Sequence, residues 1–300
     1  SLLAQAGNLV IVTNEIFSEA ASYEGETETY QKYLGKINQE LAHLADEVVE
    51  VVYGIPVYHK KSKGGTSHEK WNSFKIAFAM FSKIPMPQAE WTEENMRYML
   101  CFFPFVGAAA GLLTLGVSWL GEYFGFGTGF MAMALILVPV LVTGGIHVDG
   151  LLDTSDALSS WRDREKRLEI LKDSHAGAFA VITACVYFLA LYGGFSQITG
   201  DWTAMKLIAL GYVVSRCFSG LGVITLPKAN AGGTVAEFSR KAQDTTVRNT
   251  LIVYLVLLAA LMLLIQPVWG AVTFVTAVLV SLFYKHKAMK YFGGTTGDLS

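Results

Sequence analysis

Residues 128–160 read TGFMAMALILVPVLVTGGIHVDGLLDTSDALSS: an uncharged apolar run from Thr128 to Ile146 that passes without a break into a histidine and three aspartates. The run has the length of a membrane span. If the chain is helical from Asp149 onward, at about 100° per residue, then Asp149, Asp153 and Asp156 fall within roughly a 60° arc of one face. Three like charges on one face repel. That repulsion is tolerated where the face is wet or basic, or where a hard divalent cation sits on it, and Mg²⁺ typically takes one or two carboxylates plus substrate phosphates. The simpler reading is helix capping, with Asp149 or Thr154 meeting free N–H groups of the following helix. Carboxylates this close to a membrane segment usually face a cavity or pathway, which favours a metal-diphosphate site.

Composition agrees with the membrane reading. The 300 residues are 52% hydrophobic and 16% charged, with mean hydropathy +0.40, too apolar for an ordinary soluble domain. A net charge of -2 gives no footing for nucleic acid. Cys101, Cys185 and Cys217 lie in apolar runs without ligand spacing, so they are expected as buried small hydrophobes. No secretory signal opens the chain, and the absence of an initiator Met reads as a fragment of something longer.

Six apolar stretches approach spanning length: about 98–121, 128–146, 176–198, 203–225, 249–266 and 268–284. Lys and Arg number seven in 59–97, five in 147–175, four in 226–248 and three in 285–300, while 122–127, 199–202 and 267 have none. By the positive-inside rule the basic segments are cytoplasmic, and the aspartates with them. Before the spans, WNSFKIAFAMFSKIPMP (71–87) places Trp71, Phe74, Phe78 and Phe81 at helical spacing, the pattern of an interfacial or re-entrant helix ended by its prolines. The expected fold is therefore an all-α polytopic integral membrane protein of about six transmembrane helices plus an interfacial helix, preceded by a truncated α/β fragment.

That fragment occupies residues 1–60. NLVIVTNE suits a buried strand, Thr27 to Ala45 carries helical spacing, and EVVEVVYGIPV suits another strand. About 60 residues with so few elements bury a marginal core. Residues 61–70, polar, basic and glycine-containing, form a linker beside an anionic surface, and 71–300 the membrane domain. VTNE and YQKYLGKINQELAHLADEVVEVVYGIPV resemble the C-terminal part of the bifunctional adenosylcobinamide kinase and adenosylcobinamide-phosphate guanylyltransferase family. That family's nucleotide chemistry needs a phosphate-binding loop, and no GxxxxGK[ST] occurs here. Kinase or guanylyltransferase activity is not expected.

Further chemistry lies in WRDREKRLEILKDSHAGAF. Arg162, Arg164, Lys166 and Arg167 form a basic stripe whose plainer role is a solvated helix touching lipid headgroups. Lys172, Asp173, Ser174 and His175 sit where the next span begins, near a helix N-terminus suited to phosphate. Arg216 lies deep in an apolar stretch and needs an anionic partner, an aspartate or a substrate phosphate. In the tail FGGTTGDLS, Gly294 and Thr296 belong to a loop whose backbone N–H groups suit an anion, and Asp298 is a further possible metal ligand.

GGIHVDGLLDTSDAL, LEILKDSHAGAF, Arg216, GGTTGD and FSKIPMP together resemble the cobalamin synthase family, the adenosylcobinamide-GDP ribazoletransferases, from about Trp71 to Ser300. Members continue past the GGxTGD motif into a further apolar segment, whereas this sequence stops at Ser300, so its C-terminus reads as truncated. The resemblance implies a Mg²⁺-dependent enzyme of the lipid bilayer whose partners are adenosylcobinamide-GDP and α-ribazole or α-ribazole 5′-phosphate. The acceptor hydroxyl attacks the cobinamide-side phosphorus and expels GMP, giving adenosylcobalamin or its phosphate. It implies Asp149, Asp153, Asp156 and Asp298 at the metal and Arg216 and Lys172, with Gly294 and Thr296, at the phosphates. Asp173 or His147 takes the nucleophile's proton, with His175 as the alternative. A CDP-alcohol phosphotransferase or membrane prenyltransferase also spaces aspartates by four, yet no AR pair or GxxxDxxxD continuation follows here. A transporter would carry ionisable residues at midplane and repeated halves; only Arg216 lies so deep, and the halves show no repeat.

Overall fold

A computed structural model describes residues 10–13, 26–45, 48–52, 55–60, 66–173, 175–229 and 244–296. The chain divides into two compact units, Ser1–Ser67 and His68–Ser300.

In the first unit, helix α1 (Glu26–Leu44) is followed by strands β1 (Val48–Val52) and β2 (Ile55–Lys60). The stretch expected as one strand is an antiparallel hairpin, with Val51 opposite Pro56 and Val52 opposite Ile55. Proline donates no ladder hydrogen bond and is tolerated because a two-stranded sheet is all edge. Val10–Thr13 form no strand and stand exposed. A buried strand needs neighbours, and β1 and β2 pair only with each other among the described residues. The remainder of the NLVIVTNE run lies outside the described residues.

The second unit is helical: α2 (Thr66–Phe81), α3 (Glu93–Met96), α4 (Met99–Phe124), α5 (Thr128–Thr143), α6 (Ile146–Ser159), α7 (Arg164–Ile170), α8 (Ala178–Ile198), α9 (Trp202–Thr225), α10 (Asp244–Ile265) and α11 (Pro267–Lys287), then a π-helical turn, Ala288–Phe292. Five of the long helices are apolar enough to cross a bilayer, and α5 with α6 makes a sixth segment bent by 92°. The expected second span thus stops at Thr143, and the aspartates lie on a helix turned out of its axis. The turn is made by Gly144 at φ 67° and Gly145 at φ 82°, a left-handed conformation that side chains with a Cβ rarely adopt. The segment after α2 seals it. Lys83 N–H donates to the Val142 carbonyl at 2.7 Å, and the Lys83 side chain fills the space a Cβ on Gly144 would need.

At the centre, α4 lies against α9. Gly107 and Gly111, spaced as GxxxG, let the helices approach until a Cβ at Gly107 would stand 2.5 Å from the Tyr212 carbonyl oxygen and one at Gly111 2.7 Å from that of Ala209. Between lipid-solvated helices, such close backbone contact is a main source of association. Around this pair Ile76, Met99, Phe103, Val106, Val214, Cys217, Leu251 and Met262 form the core. The phenylalanines of the α2 stripe pack inward as well, Phe81 against Phe103 at 4.2 Å and Phe74 against Phe102 at 5.9 Å between centroids, while Trp71 stays exposed. Outward faces are apolar: Leu112 is 71% exposed and Leu264 82%. A water-soluble surface would not tolerate so many such residues, and lipid favours them. This also corrects one expectation, since Cys185 is exposed while Cys101 and Cys217 are buried; α8 buries only Ala180 and Phe195, so its apolar residues face outward.

Candidate functional site

Helix α6 carries the three aspartates, with Asp149 exposed and Asp153 and Asp156 half-buried. Asp156 is committed to the fold. Its Oδ2 accepts the Gly177 N–H at 2.5 Å and its Oδ1 the Ala180 N–H at 2.9 Å, and Gly177 is the residue that opens α8. The first N–H groups of a helix lack intrahelical partners and carry partial positive charge, so a carboxylate there stabilises the helix. Gly177 is required for the approach, because a Cβ there would lie 2.8 Å from both carboxylate oxygens. Ser155 and Thr183 share a second link between the same helices, Oγ to Oγ1 at 2.5 Å. Capping therefore occurs, done by the third aspartate for a helix 21 residues on, whereas the simpler alternative reading placed it at Asp149 or Thr154.

Asp156→Ala should destabilise the protein by about 1 kcal/mol, the usual value of a lost cap, and lower the detergent melting temperature by a few degrees. A melting temperature equal to that of the parent protein would overturn the capping role of Asp156.

Deeper in the bundle, Phe103 of α4 joins two polar side chains. The Arg216 guanidinium carbon lies 5.7 Å from the Phe103 ring centroid, and the His147 ring centroid is 6.3 Å from the same ring. Arg216 Nε and His147 Nε2 are both buried and have no hydrogen-bond partner among the described residues. Arg216 is also within electrostatic reach of His147 of α6, Tyr187 of α8 and its own helix neighbour Tyr212. No ion pair among the described residues includes Arg216. An N–H in that position calls for an acceptor that the described protein does not provide.

Lys172, Asp173 and His175 occupy the loop between α7 and α8, all exposed. Asp173 Oδ1 accepts the His175 backbone N–H at 3.0 Å and meets His175 Nδ1 at 2.7 Å. The hydrogen bond from the His175 side chain, with that from its backbone, holds the Asp173 carboxyl below the ordinary aspartate range. A carboxylate on Nδ1 selects the tautomer with Nε2 as the remaining acceptor. Ser174 lies outside the described residues.

The glycine-rich tail works as a fastener. Thr295 N–H donates to the Pro227 carbonyl at 2.8 Å, Ala229 N–H to the Thr295 carbonyl at 3.0 Å, and Gly294 N–H to the Ala288 carbonyl at 3.2 Å. Tyr284 OH shares a 2.6 Å hydrogen bond with Thr295 Oγ1. A Cβ on Gly294 would collide with the Pro227 carbonyl. The Gly294 N–H is thus engaged within the protein; Thr296 is half-buried, and Asp298 lies outside the described residues. Phe292 packs with Ala157 of α6 and Leu171 after α7, which brings the tail to the C-terminal end of the aspartate helix. Sequence reasoning missed Phe103, one aromatic among many in an apolar stretch, and missed this junction.

Among the described residues no three His, Cys, Asp or Glu side chains converge as a ready-made metal cage. The donors still suit Mg²⁺. Asp149 and Asp153 stand one turn apart on α6 as hard oxygen ligands, and that ion commonly takes one or two carboxylates and completes its shell with water and substrate phosphates.

Residues 73–300 match the sequence model of the cobalamin-5-phosphate synthase family, and residues 1–58 that of cobinamide kinase / cobinamide phosphate guanyltransferase. The chain is 44% identical over 232 residues to the adenosylcobinamide-GDP ribazoletransferase of Lachnoclostridium phytofermentans, covering 77% of this chain and 88% of that protein. The enzymes of the same name from Desulfitobacterium hafniense and Geobacillus thermodenitrificans are 34% and 32% identical, over 75% and 77% of this chain and 88% and 90% of their own lengths. No solved structure matches. With a family match that spans the aspartate helix, Arg216 and the glycine-rich tail, the chain belongs to the cobalamin-5-phosphate synthase family.

Proposed function

We propose that the protein is an adenosylcobinamide-GDP ribazoletransferase, joining adenosylcobinamide-GDP to α-ribazole or its 5′-phosphate with release of GMP. The observation that carries this reading is the family match over residues 73–300, in a chain whose relatives bear that name over most of their lengths.

The reaction forms a bond from the ribazole hydroxyl oxygen to the cobinamide-side phosphorus and breaks the bond from that phosphorus to the bridging oxygen, which leaves with GMP. The proton of the hydroxyl must go to a base. His175, fixed through Nδ1 by Asp173, is the base this reading favours, since its Nε2 is the open acceptor. His147 is the second choice, because its buried Nε2 has no described partner. Arg216 offers its unpartnered N–H to a phosphate oxygen, and Lys172 adds charge from the loop. Asp149 and Asp153 would hold Mg²⁺, which when bound neutralises charge on the diphosphate and its leaving oxygen. Asp156 supports them indirectly, by locking α6 to α8.

The detergent-purified protein, given adenosylcobinamide-GDP, α-ribazole and MgCl₂, should release GMP in proportion to the corrinoid product. Absence of GMP release with both acceptor forms would overturn the assignment. The orientation belongs to the same reading: the basic segments, with seven, five, four and three Lys and Arg, lie on the cytoplasmic side of the cell membrane and the site faces that side. In a variant lacking the native cysteines, Phe124→Cys should react with an impermeant maleimide on intact cells, and Trp161→Cys only after permeabilisation. The reverse pattern would invert the topology.

A further inference from the structure

The C-terminal turn carries a cluster of cations that the reaction as drawn leaves without a task. Arg167 of α7 stands over the Tyr291 ring at 4.8 Å, and Lys287 and Lys290 approach the same ring at 5.0 and 5.2 Å. Arg164, one turn before Arg167, lays its guanidinium on Gly293, where any Cβ would collide with it; Gly293 has φ 72°. None of these four cations is in an ion pair among the described residues. Yet Lys166, on the same short helix, is paired with Glu169 at 2.5 Å. The basic stripe is therefore divided: one member is neutralised at the surface, while two arginines are turned onto the tail.

Arg167 gives the second, independent observation. Its Nε is buried and has no hydrogen-bond partner among the described residues, although guanidinium N–H groups withdrawn from water are normally satisfied. Three cations gathered on one ring, with a fourth on Gly293, repel one another, and the ring quadrupole offsets only part of that repulsion. An anion with several oxygens would satisfy both demands, and arginine's planar fork fits a phosphate bidentately. The scaffold is also unusual. The residues Ala288–Phe292 are wound as a π-helical turn, a local distortion that recurs at functional sites.

We infer that Arg164, Arg167, Lys287 and Lys290, gathered around Tyr291 and Gly293, form a phosphate-ester site. Resting on the reaction proposed above, its natural occupant is the phosphate of the guanosine nucleotide, held as substrate and then as departing GMP. Placement supports this occupant. Phe292 and Tyr291 pack with Ala157 and Leu158 at the end of α6, and Asp153 lies four residues before Ala157, a rise of about 6 Å. A diphosphate held at the aspartates is thus within reach of the cluster. The same chemistry would also accept an anionic lipid headgroup, so the test has two arms.

In the first arm, calorimetry on the detergent-purified full chain measures GMP, guanosine and inorganic phosphate with no α-ribazole present. GMP should bind at least about tenfold more tightly than guanosine. Arg167→Gln and Lys287→Gln should each erase most of that advantage while leaving guanosine binding unchanged, and Arg167→Lys should retain part of it. Lys290→Gln, at an exposed position, serves if a substitution of Arg167 fails to fold. In the second arm, nanodiscs of phosphatidylcholine with or without phosphatidylglycerol are compared by melting temperature. Stabilisation by phosphatidylglycerol that disappears in the same variants, with GMP binding intact, assigns the site to a lipid headgroup. Variants that change neither GMP nor phosphatidylglycerol binding overturn the site. Because no turnover is needed, a chain that releases GMP normally yet shows none of these effects loses the inference and keeps the proposed reaction. One that binds phosphate through Arg167 but never releases GMP does the opposite.

Discussion

Asp153→Asn should reduce GMP release by about 100- to 1,000-fold, in the range found when a preorganised electrostatic contact to a reacting centre is removed. The substitution keeps volume and polarity at a half-buried position of α6, so the helix keeps its packing. What changes is charge. An amide oxygen is a poor ligand for a hard cation beside a carboxylate one, so the Mg²⁺ concentration for half-maximal rate should rise and high Mg²⁺ should restore part of the activity. Asp156→Asn provides the contrast. Its carboxylate receives two backbone N–H groups of α8, so its amide should lose stability before it loses metal response. Wild-type GMP release and an unchanged Mg²⁺ curve in Asp153→Asn would remove the metal from α6.

The difference between those two aspartates marks the boundary of what the sequence discloses. Hydropathy located the spans, because membrane crossing depends on composition summed over a window, and α4, α8, α9, α10 and α11 begin and end within a few residues of the expected limits. Direction is a different matter. The run into Ile146 reads as one span, whereas two glycines in left-handed conformation and the Lys83 side chain turn it by 92°; the glycines were visible, but a window average discards them. Local periodicity put Asp149, Asp153 and Asp156 on one face. It does not reveal that the last of them reaches Gly177 on another helix, since that bond depends on how α6 and α8 pack. Tyr53–Gly54, which separates β1 from β2, was equally visible inside EVVEVVYGIPV, and the choice between one strand and a hairpin there rests on which neighbours a strand finds.

Arg216 offers the sharpest separation of activity from stability. Replacing it with Met should lower GMP release by about 100-fold or more, and the melting temperature should hold or rise. The reasoning turns on the absent partner. A guanidinium inside an apolar bundle is costly unless paired, and Arg216 has an aromatic ring at 5.7 Å and a buried Nε without a described acceptor. An apolar side chain of similar length removes that cost while keeping the packing against Phe103, much as buried charges in other folds are often replaced by apolar residues without loss of stability. Were Arg216 mere glue between helices, Met would instead destabilise, and activity would fall only as the protein unfolds. Arg216→Lys separates charge from geometry: lysine keeps the positive charge but not the planar fork, so it should recover only a small part of the lost rate. Its effect should fall chiefly on kcat if the fork engages charge that develops on the leaving oxygen, and on KM if it grips the diphosphate equally before and during reaction. A fall in melting temperature that tracks the fall in rate across both variants would return Arg216 to a structural role and leave the phosphate without its deepest cation.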